Sequence, residues 1–312
     1  MKKIITVGIP CYNEEENVEI TYTKIRQILR TIPSYTFRFL FVNNGSTDET
    51  KKKILSLVRK DKSVSGIFLS RNFGFEASIA ALLNYATGDA VVILPCDLQD
   101  PPELIPKFIK KWEDGNNIVA GKYRNTEDDI FTAFLRRTFY FIFKKISDLD
   151  IPVNASEVAL LDRKALEALR SLPEKFRFFR GLRVWIGFKV AFVQYHRGKR
   201  MYGSSAYNII SYFKYAERGI YGFSYLLLDM MMYATLALVC LSFFLVLLYV
   251  GYHSFAKVTY EILPTILLAM FLLGSVLLFG MGILGKYIQV IVEESKNRPV
   301  YVVDEIVGAK HG

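Results

Sequence analysis

Through its first 120 residues the chain alternates short apolar runs with stretches of helical period. Ile4 to Ile9, Phe37 to Val42, Val64 to Leu69 and Ala90 to Leu94 are runs of strand length. Between them, Glu14 to Leu29, Asp48 to Val58 and Ala77 to Ala86 place apolar residues three and four positions apart, the spacing of one helix face. Apolar strands separated by amphipathic helices predict a Rossmann-like α/β domain, a mostly parallel sheet covered on both faces. Beyond residue 225 the pattern changes. Met230 to Tyr252 and Ile262 to Gly285 contain no Asp, Glu, Lys or Arg. Each is longer than the roughly 20 residues that cross a bilayer core, so the pattern predicts a two-helix transmembrane hairpin. The expected organisation is a soluble domain over 1–225, two spans over 226–286 and a tail over 287–312.

Composition sharpens this picture. The chain of 312 residues is 52% hydrophobic yet 22% charged, and the charge avoids the C-terminal apolar runs. A soluble part joined to a membrane part accounts for both. His196, Arg197, Lys199, Arg200, Lys214 and Arg218 precede the first run, and Lys286, Lys296 and Arg298 follow the second. By the positive-inside rule both termini and the soluble domain are cytoplasmic, as in an integral protein of a bacterial inner membrane, and the loop near Lys257 lies outside. Ile130 to Ser147 mixes Phe and Ile with Arg136, Arg137, Lys144 and Lys145, the make-up of an interfacial helix over about 130–147. Tyr202 to Tyr225 is aromatic-rich and leads into the first span, giving a second such helix over about 203–225. The net charge of +10 suits polyanions, whether nucleotide phosphates, an anionic membrane or nucleic acid. No nucleic-acid-binding motif accompanies the basic residues, so nucleic acid is not an expected partner. Cys11, Cys96 and Cys240 form no C-x-x-C pair and no disulfide framework.

In parallel α/β sheets ligands bind beyond the carboxyl ends of the strands. The segments there are Pro10-Cys11-Tyr12-Asn13-Glu14, Asn43 to Asp48, Ser70 to Gly74 and Pro95-Cys96-Asp97-Leu98-Gln99-Asp100. No G-x-G-x-x-G follows the first strand and no G-x-x-x-x-G-K-[ST] is present. These absences exclude the usual dinucleotide and P-loop readings. Asp97-x-Gln99 places two oxygen-bearing side chains at i and i+2 where a strand turns, a pattern suited to a hard cation that also takes diphosphate oxygens.

Eight segments carry a family likeness: IPCYNEEENV (9–18), VNNGSTDET (42–50), LSRNFGFEASI (69–79), GDAVVILPCDLQDPPELI (88–105), IPVNASEVALLDRKALEAL (151–169), FRGLRVWIGFK (179–189), YHRGKRMYGSSAY (195–207) and ILGKYIQVIVEESKNRPVYVVDE (283–305). In content and order the chain resembles the polyisoprenyl-phosphate glycosyltransferases. That group includes dolichyl-phosphate mannose synthase and bacterial undecaprenyl-phosphate glucosyltransferases, inverting family-two enzymes of GT-A fold. The resemblance implies transfer of one sugar from a nucleotide sugar, UDP-glucose first, to a polyprenyl-phosphate lipid. It implies Pro10, Tyr12, Glu14 and Asn44 as nucleotide-sugar ligands, with Glu14 near the ribose and Asn44 facing the base. Asp97 and Gln99 would hold Mg²⁺ or Mn²⁺ with the diphosphate. Lys122, Arg136 or Arg137, and Arg200 would bind phosphates, including that of the lipid acceptor. Glu157 aligns with a family acid, to orient the metal, the sugar or a basic neighbour; pairing with Arg163 or a nearby Lys is its other reading. Asp97, Glu157 and Arg200 form the implied catalytic set.

The family pattern is not fully kept. Asn44 stands where Asp is usual, Pro95 replaces the first Asp of the metal loop, Phe75 and Ala206 replace Lys, and Ser156 to Leu160 replaces Gly-Asp-Phe-Arg-Leu. These departures support a second reading, a membrane scaffold that keeps the fold without the chemistry. A processive polysaccharide synthase is a third, but its Gln-x-x-Arg-Trp motif is absent. A homo-oligomer stays open.

Overall fold

The computed structural model describes residues 2–124, 152, 154–175, 177–198, 226–255 and 262–308. Strands β1 (Ile4–Cys11), β2 (Thr36–Asn43), β3 (Val64–Leu69) and β4 (Ala90–Ile93) alternate with α1 (Val18–Leu29), α2 (Thr50–Lys60) and α3 (Phe75–Tyr85). All four strands stand where the apolar runs placed them, because each run is buried on both faces. Next come α4 (Leu104–Glu113), β5 (Ile118–Tyr123), β6 (Ala155–Asp162), α5 (Arg163–Ser171), α6 (Phe179–Trp185) and β7 (Val190–Tyr195). Two long helices, α7 (Leu226–Phe255) and α8 (Ile262–Ser295), precede a last strand, β8 (Val303–Val307).

One sheet holds all eight strands in the order β7-β5-β6-β4-β1-β2-β3-β8. The centre is parallel, with β1 between β4 and β2, and β3 beyond β2. The sides are not: β6 runs antiparallel to both β4 and β5, and β8 antiparallel to β3. Strands β1 to β5 and β7 therefore all point the same way, so the sheet is mostly parallel as expected, with β6 and β8 as its two reversed strands. Reversal of β6 matters for position. Ala155 lies opposite Lys122 near the end of β5, so the start of β6 shares the edge where the parallel strands end.

Helices cover both faces. Val18, Ile25, Ile54, Leu57, Leu104 and Phe108 from α1, α2 and α4 pack on Ile5, Val7, Ile9, Phe39 and Phe41. Ile79, Leu82, Leu166, Leu169, Phe179 and Leu182 from α3, α5 and α6 pack on Leu40, Val42, Ile67, Val91 and Ile93. Alternate residues of one strand thus serve opposite layers, as the two-residue side-chain period requires.

The described side chains of α7 and α8 are mostly exposed, among them Met230, Leu236, Phe244, Phe271, Leu278 and Phe279. The two helices pack on one another. Within α8, Ala269–Ser295 is long and apolar enough to cross a membrane. The hairpin expectation thus has one qualifying helix among the described residues. After α8 the chain, expected as a tail, returns to the sheet. Lys175 N donates to Glu294 Oε1 at 2.7 Å, and Tyr301 accepts from Asn84 at 2.8 Å, just before β8 pairs with β3. The expected interfacial helices at 130–147 and 203–225 lie outside the described residues.

Candidate active site

Four loops meet at the carboxyl edge of the parallel strands. The first two, after β1 and β2, are laced together. Asn13 N donates to Ser46 Oγ at 2.9 Å, and Thr47 N donates to Asn13 Oδ1 at 2.9 Å. Glu14 N donates to Thr50 Oγ1 at 2.8 Å, and Glu49 N donates to Glu15 Oε2 at 2.7 Å. Gly45 has φ of +65°, and a Cβ there would lie 2.3 Å from the Arg71 backbone carbon. Only glycine fits that crossing without moving backbone.

The expected nucleotide-sugar residues take distinct places. Pro10 is buried in β1 opposite Val42, and its carbonyl accepts from Cys96 N at 3.3 Å. This bond ties the first loop to the Asp97 loop. Tyr12 is half-buried in the loop itself. Glu14 is buried; its Oε2 accepts from Asn17 Nδ2 at 2.6 Å, and its carbonyl accepts from Asn17 N and Val18 N where α1 begins. Asn44, expected to face a base, is also buried. Its Nδ2 donates to Asn72 Oδ1 and Gly74 O, and its Oδ1 accepts from Phe73 N, all at 3.0–3.1 Å. An asparagine can serve both donor and acceptor partners here; an aspartate could only accept. The amide therefore fixes the loop before α3.

The loop after β4 presents Asp97 and Gln99, both half-buried. Leu98 between them has φ of +55°, a left-handed conformation uncommon for a bulky residue. Strain of this kind persists where surroundings over-determine the backbone. Here Gly198 N donates to Gln99 O at 2.8 Å, and Tyr195 donates its hydroxyl to Asp100. Asp97 accepts a long bond from Gln99 N, 3.3 Å, to Oδ1.

A cluster from β5, β6, α6 and β7 closes this side. Asp100 is 2% exposed. Burial raises its pKa to about 6, against the opposing pull of Arg197 and the Tyr195 hydroxyl. Arg197 Nε lies 3.9 Å from Asp100 Oδ1, and its guanidinium sits 5.3 Å from the centre of the Tyr123 ring. Tyr195 also lies 2.8 Å from Ser156 Oγ. A Cβ on Gly121 would meet the Tyr195 ring at 2.6 Å, so that glycine admits the tyrosine. Glu157 pairs with Arg180 Nε at 2.6 Å, both largely buried. Its partner is thus Arg180 of α6; Arg163 pairs with Glu167 instead. Lys122 is half-buried near the end of β5. Arg136, Arg137 and Arg200 lie outside the described residues.

Sequence reasoning did not select Asp100, Arg180, Tyr195 or Arg197 as site residues. Asp100 stood in the quoted D-L-Q-D string and Arg197 in Y-H-R-G-K-R, but spacing alone could not join segments 95 positions apart. The donor set fits a hard divalent cation. Asp97 and Gln99 offer oxygens, and among the described residues no three His, Cys, Asp or Glu side chains converge. A metal held here needs oxygens from a substrate and water, the usual habit of Mg²⁺ at phosphate sites.

Residues 6–170 match glycosyl transferase family 2. The chain is 32% identical over 312 residues to an uncharacterised glycosyltransferase of Synechocystis sp., covering 98% of this chain and 96% of that one. It is 34% identical over 306 residues to the bactoprenol glucosyl transferase of Shigella phage SfV, covering 96% and 97%. Among solved structures it is similar to glucosyl-3-phosphoglycerate synthase from Mycobacterium tuberculosis in complex with Mn²⁺, uridine-diphosphate and phosphoglyceric acid. There the TM-score is 0.48, with 18% identity over 70% of this chain and 76% of that one.

Proposed function

The chain belongs to glycosyl transferase family 2 and is a glycosyltransferase, and from that premise we propose that it moves one glucose from UDP-glucose, with inversion, to the phosphate of a polyprenyl-phosphate carrier. The reaction takes place at the cytoplasmic face of a bacterial inner membrane, with α7 and α8 as two spans. Support comes from relatives named bactoprenol glucosyl transferase that align nearly end to end, apolar helices included. The observation that carries the reading is the joining of the Asp97–Gln99 loop to the segment after β7, through Gly198 N on Gln99 O and Arg197 beside Asp100, in a chain that also holds a long apolar helix.

A phosphate monoester has its second pKa near 6, so the acceptor is already a nucleophile at neutral pH. The protein's task is to hold two anionic substrates in line and to screen them from each other. Pro10, Tyr12, Glu14 and the loop fixed by Asn44 shape the nucleotide pocket. Asp97 and Gln99 would hold Mg²⁺ or Mn²⁺, which when bound would stabilise charge on the departing diphosphate. Glu157 aims Arg180 at the reacting groups, and Lys122, Arg136, Arg137 and Arg200 meet phosphates. Arginine suits that task because its planar fork binds a phosphate through two donors.

Detergent-solubilised full-length protein, short-chain polyprenyl phosphate and a panel of labelled donors test the reading. UDP-glucose should label the lipid in Mg²⁺ or Mn²⁺ and not in EDTA. Lipid label from GDP-mannose or another UDP-sugar alone would refute the sugar. Label in a polymer would refute single transfer, and no lipid label from any donor would refute the acceptor.

A further inference from the structure

Helix α6 has seven residues, and helices below about 12 residues are marginal on their own. Its place is therefore set by its contacts. Phe179 and Leu182 are buried in the layer of α3 and α5, but apolar contact is non-directional and leaves a short helix free to slide or roll. Three polar contacts remove that freedom. Arg180 Nε lies 2.6 Å from Glu157 Oε1. Arg183, 1% exposed, donates from Nη2 to Ser156 O at 3.1 Å, so the two arginines grip consecutive residues of β6. The third contact comes from α3. Phe179 N belongs to the first turn of α6, where N–H groups have no partner within the helix. It donates to Glu76 Oε2 at 3.0 Å.

Glu76 is 5% exposed and stands in the first turn of α3. So enclosed, it acts on a substrate only through a neighbour. Its own helix is a firm base. The start of α3 is fixed by Asn44, whose Nδ2 donates to Gly74 O at 3.1 Å, and near its end Asn84 donates to the Tyr301 hydroxyl at 2.8 Å. We infer that Glu76 is a positioning residue: by holding the first turn of α6 it sets where Arg180, gripped at Nε by Glu157, presents its guanidinium to the phosphates of the transfer. This rests on the reaction proposed above and deepens it. The ion pair to Glu157 fixes one end of Arg180, and the backbone that carries it needs a separate anchor. Displacement of a reacting or binding group by about 1 Å can cost about a hundredfold in rate. The anchor needs an acceptor oxygen at the right reach, which an amide supplies as well as a carboxylate.

The test uses full-length protein in detergent with saturating UDP-glucose, Mn²⁺ and short-chain polyprenyl phosphate. Glu76→Ala should lower kcat about ten- to hundredfold. Its UDP affinity, from calorimetry without acceptor, should hold within about twofold, because the loops after β1 and β2 keep their own bonds. Glu76→Gln keeps an acceptor oxygen for Phe179 N and should stay within about threefold of the wild-type kcat. Glu76→Asp, one methylene shorter, should behave like Glu76→Ala and takes its place if that variant does not fold. Arg180→Ala should itself cost about a hundredfold. Adding Glu76→Ala to it should cost less than about threefold more, since no guanidinium is left to place. Losses that multiply in the double variant would make Glu76 a general support of the fold and overturn the inference. So would wild-type turnover in Glu76→Ala, or a folded Glu76→Gln as damaged as Glu76→Ala. Wild-type protein that labels no lipid overturns the proposed reaction instead. An active wild type matched by Arg180→Ala overturns the part given to Arg180, and the inference with it.

Discussion

Asp97 and Asp100 are three residues apart and do opposite work. Asp97 is half-buried, and its one hydrogen bond among the described residues comes from its own loop. Asp97→Ala should lower the rate of lipid-linked product by about two orders of magnitude or more, the scale for loss of a main electrostatic stabiliser. Turnover near wild type would remove Asp97 from the chemistry. Asp100 is enclosed, and burial favours its neutral form. Its folded pKa, about 6, exceeds the ordinary 3.8. The stability linked to this group is therefore complete below pH 3.8 and is lost as pH rises through about 6. The difference corresponds to about 2–3 kcal/mol. Melting of the solubilised protein should show that decline between about pH 4 and pH 6, and Asp100→Asn should flatten it. An identical decline in the variant would assign it elsewhere. At this scale the sequence was half legible. Asp97 and Gln99 announce themselves by spacing, since both sit in one short loop. Glu157 was singled out, but its partner Arg180 was not, and Tyr195 meets Asp100 only because β5 and β6 bring their strand ends together. The family resemblance implies Asn44 as a base ligand; its buried amide also bonds the loop at Asn72 to Gly74, partners that no local pattern reveals.

Among the elements, β8 shows how much five residues can hold. Gly66, Ile67 and Phe68 pair with Val307, Ile306 and Glu305, but Leu69 pairs with Val303, so Asp304 is an extra residue in the strand. Such a bulge shifts the side-chain alternation by one. Val307 consequently packs with the layer of α1 and α2, and Val303 with that of α3. Lys51 reaches Glu305 at 2.8 Å and Asp304 at 3.5 Å, but these contacts are exposed and add little. The main effect is to cover β3, which is buried along its length and would otherwise offer an open edge. Ending the chain after Arg298 should lower the melting temperature by about 5–10 °C and promote association in detergent. A truncated protein that melts and sediments like the full chain would make β8 an ornament. The strands β1 to β4 could be read from the sequence because burial on both faces makes each a continuous apolar run. Strand β8 could not, since Asp304 and Glu305 interrupt its pattern and its partner lies more than 230 residues earlier. For the same reason the reversal of β6 was invisible: strand direction depends on tertiary connection, and only β6 and β8 run against the other strands.

At the scale of the whole molecule, sequence and fold together make one demand on topology. The sheet joins both halves of the chain, since β3 and β8 are neighbours although α7 and α8 lie between them in sequence. Glu294, at the end of α8, accepts from Lys175 N in the segment before α6. The end of α8 and the sheet must then lie on one side of any membrane the helices cross. One span alone would separate β8 from β3; if Ala269–Ser295 crosses a membrane, a second crossing must return the chain, and α7, with 30 residues, is long enough for it. By the positive-inside rule the basic residues on both flanks predict that this side is cytoplasmic, as the proposed use of a UDP-sugar requires. Cysteine labelling in intact cells tests this. Cys11 and Cys96 are buried and Cys240 lies within α7, so a Cys240→Ser background suffices. Ser254→Cys, at the far end of α7, should react with an impermeant thiol reagent without lysis. Ser46→Cys, in the loop that meets Asn13, should react only after the membrane is opened. Labelling of both before lysis would mean that the helices do not cross, and the reverse pattern would place the Asp97 loop outside, away from its donor.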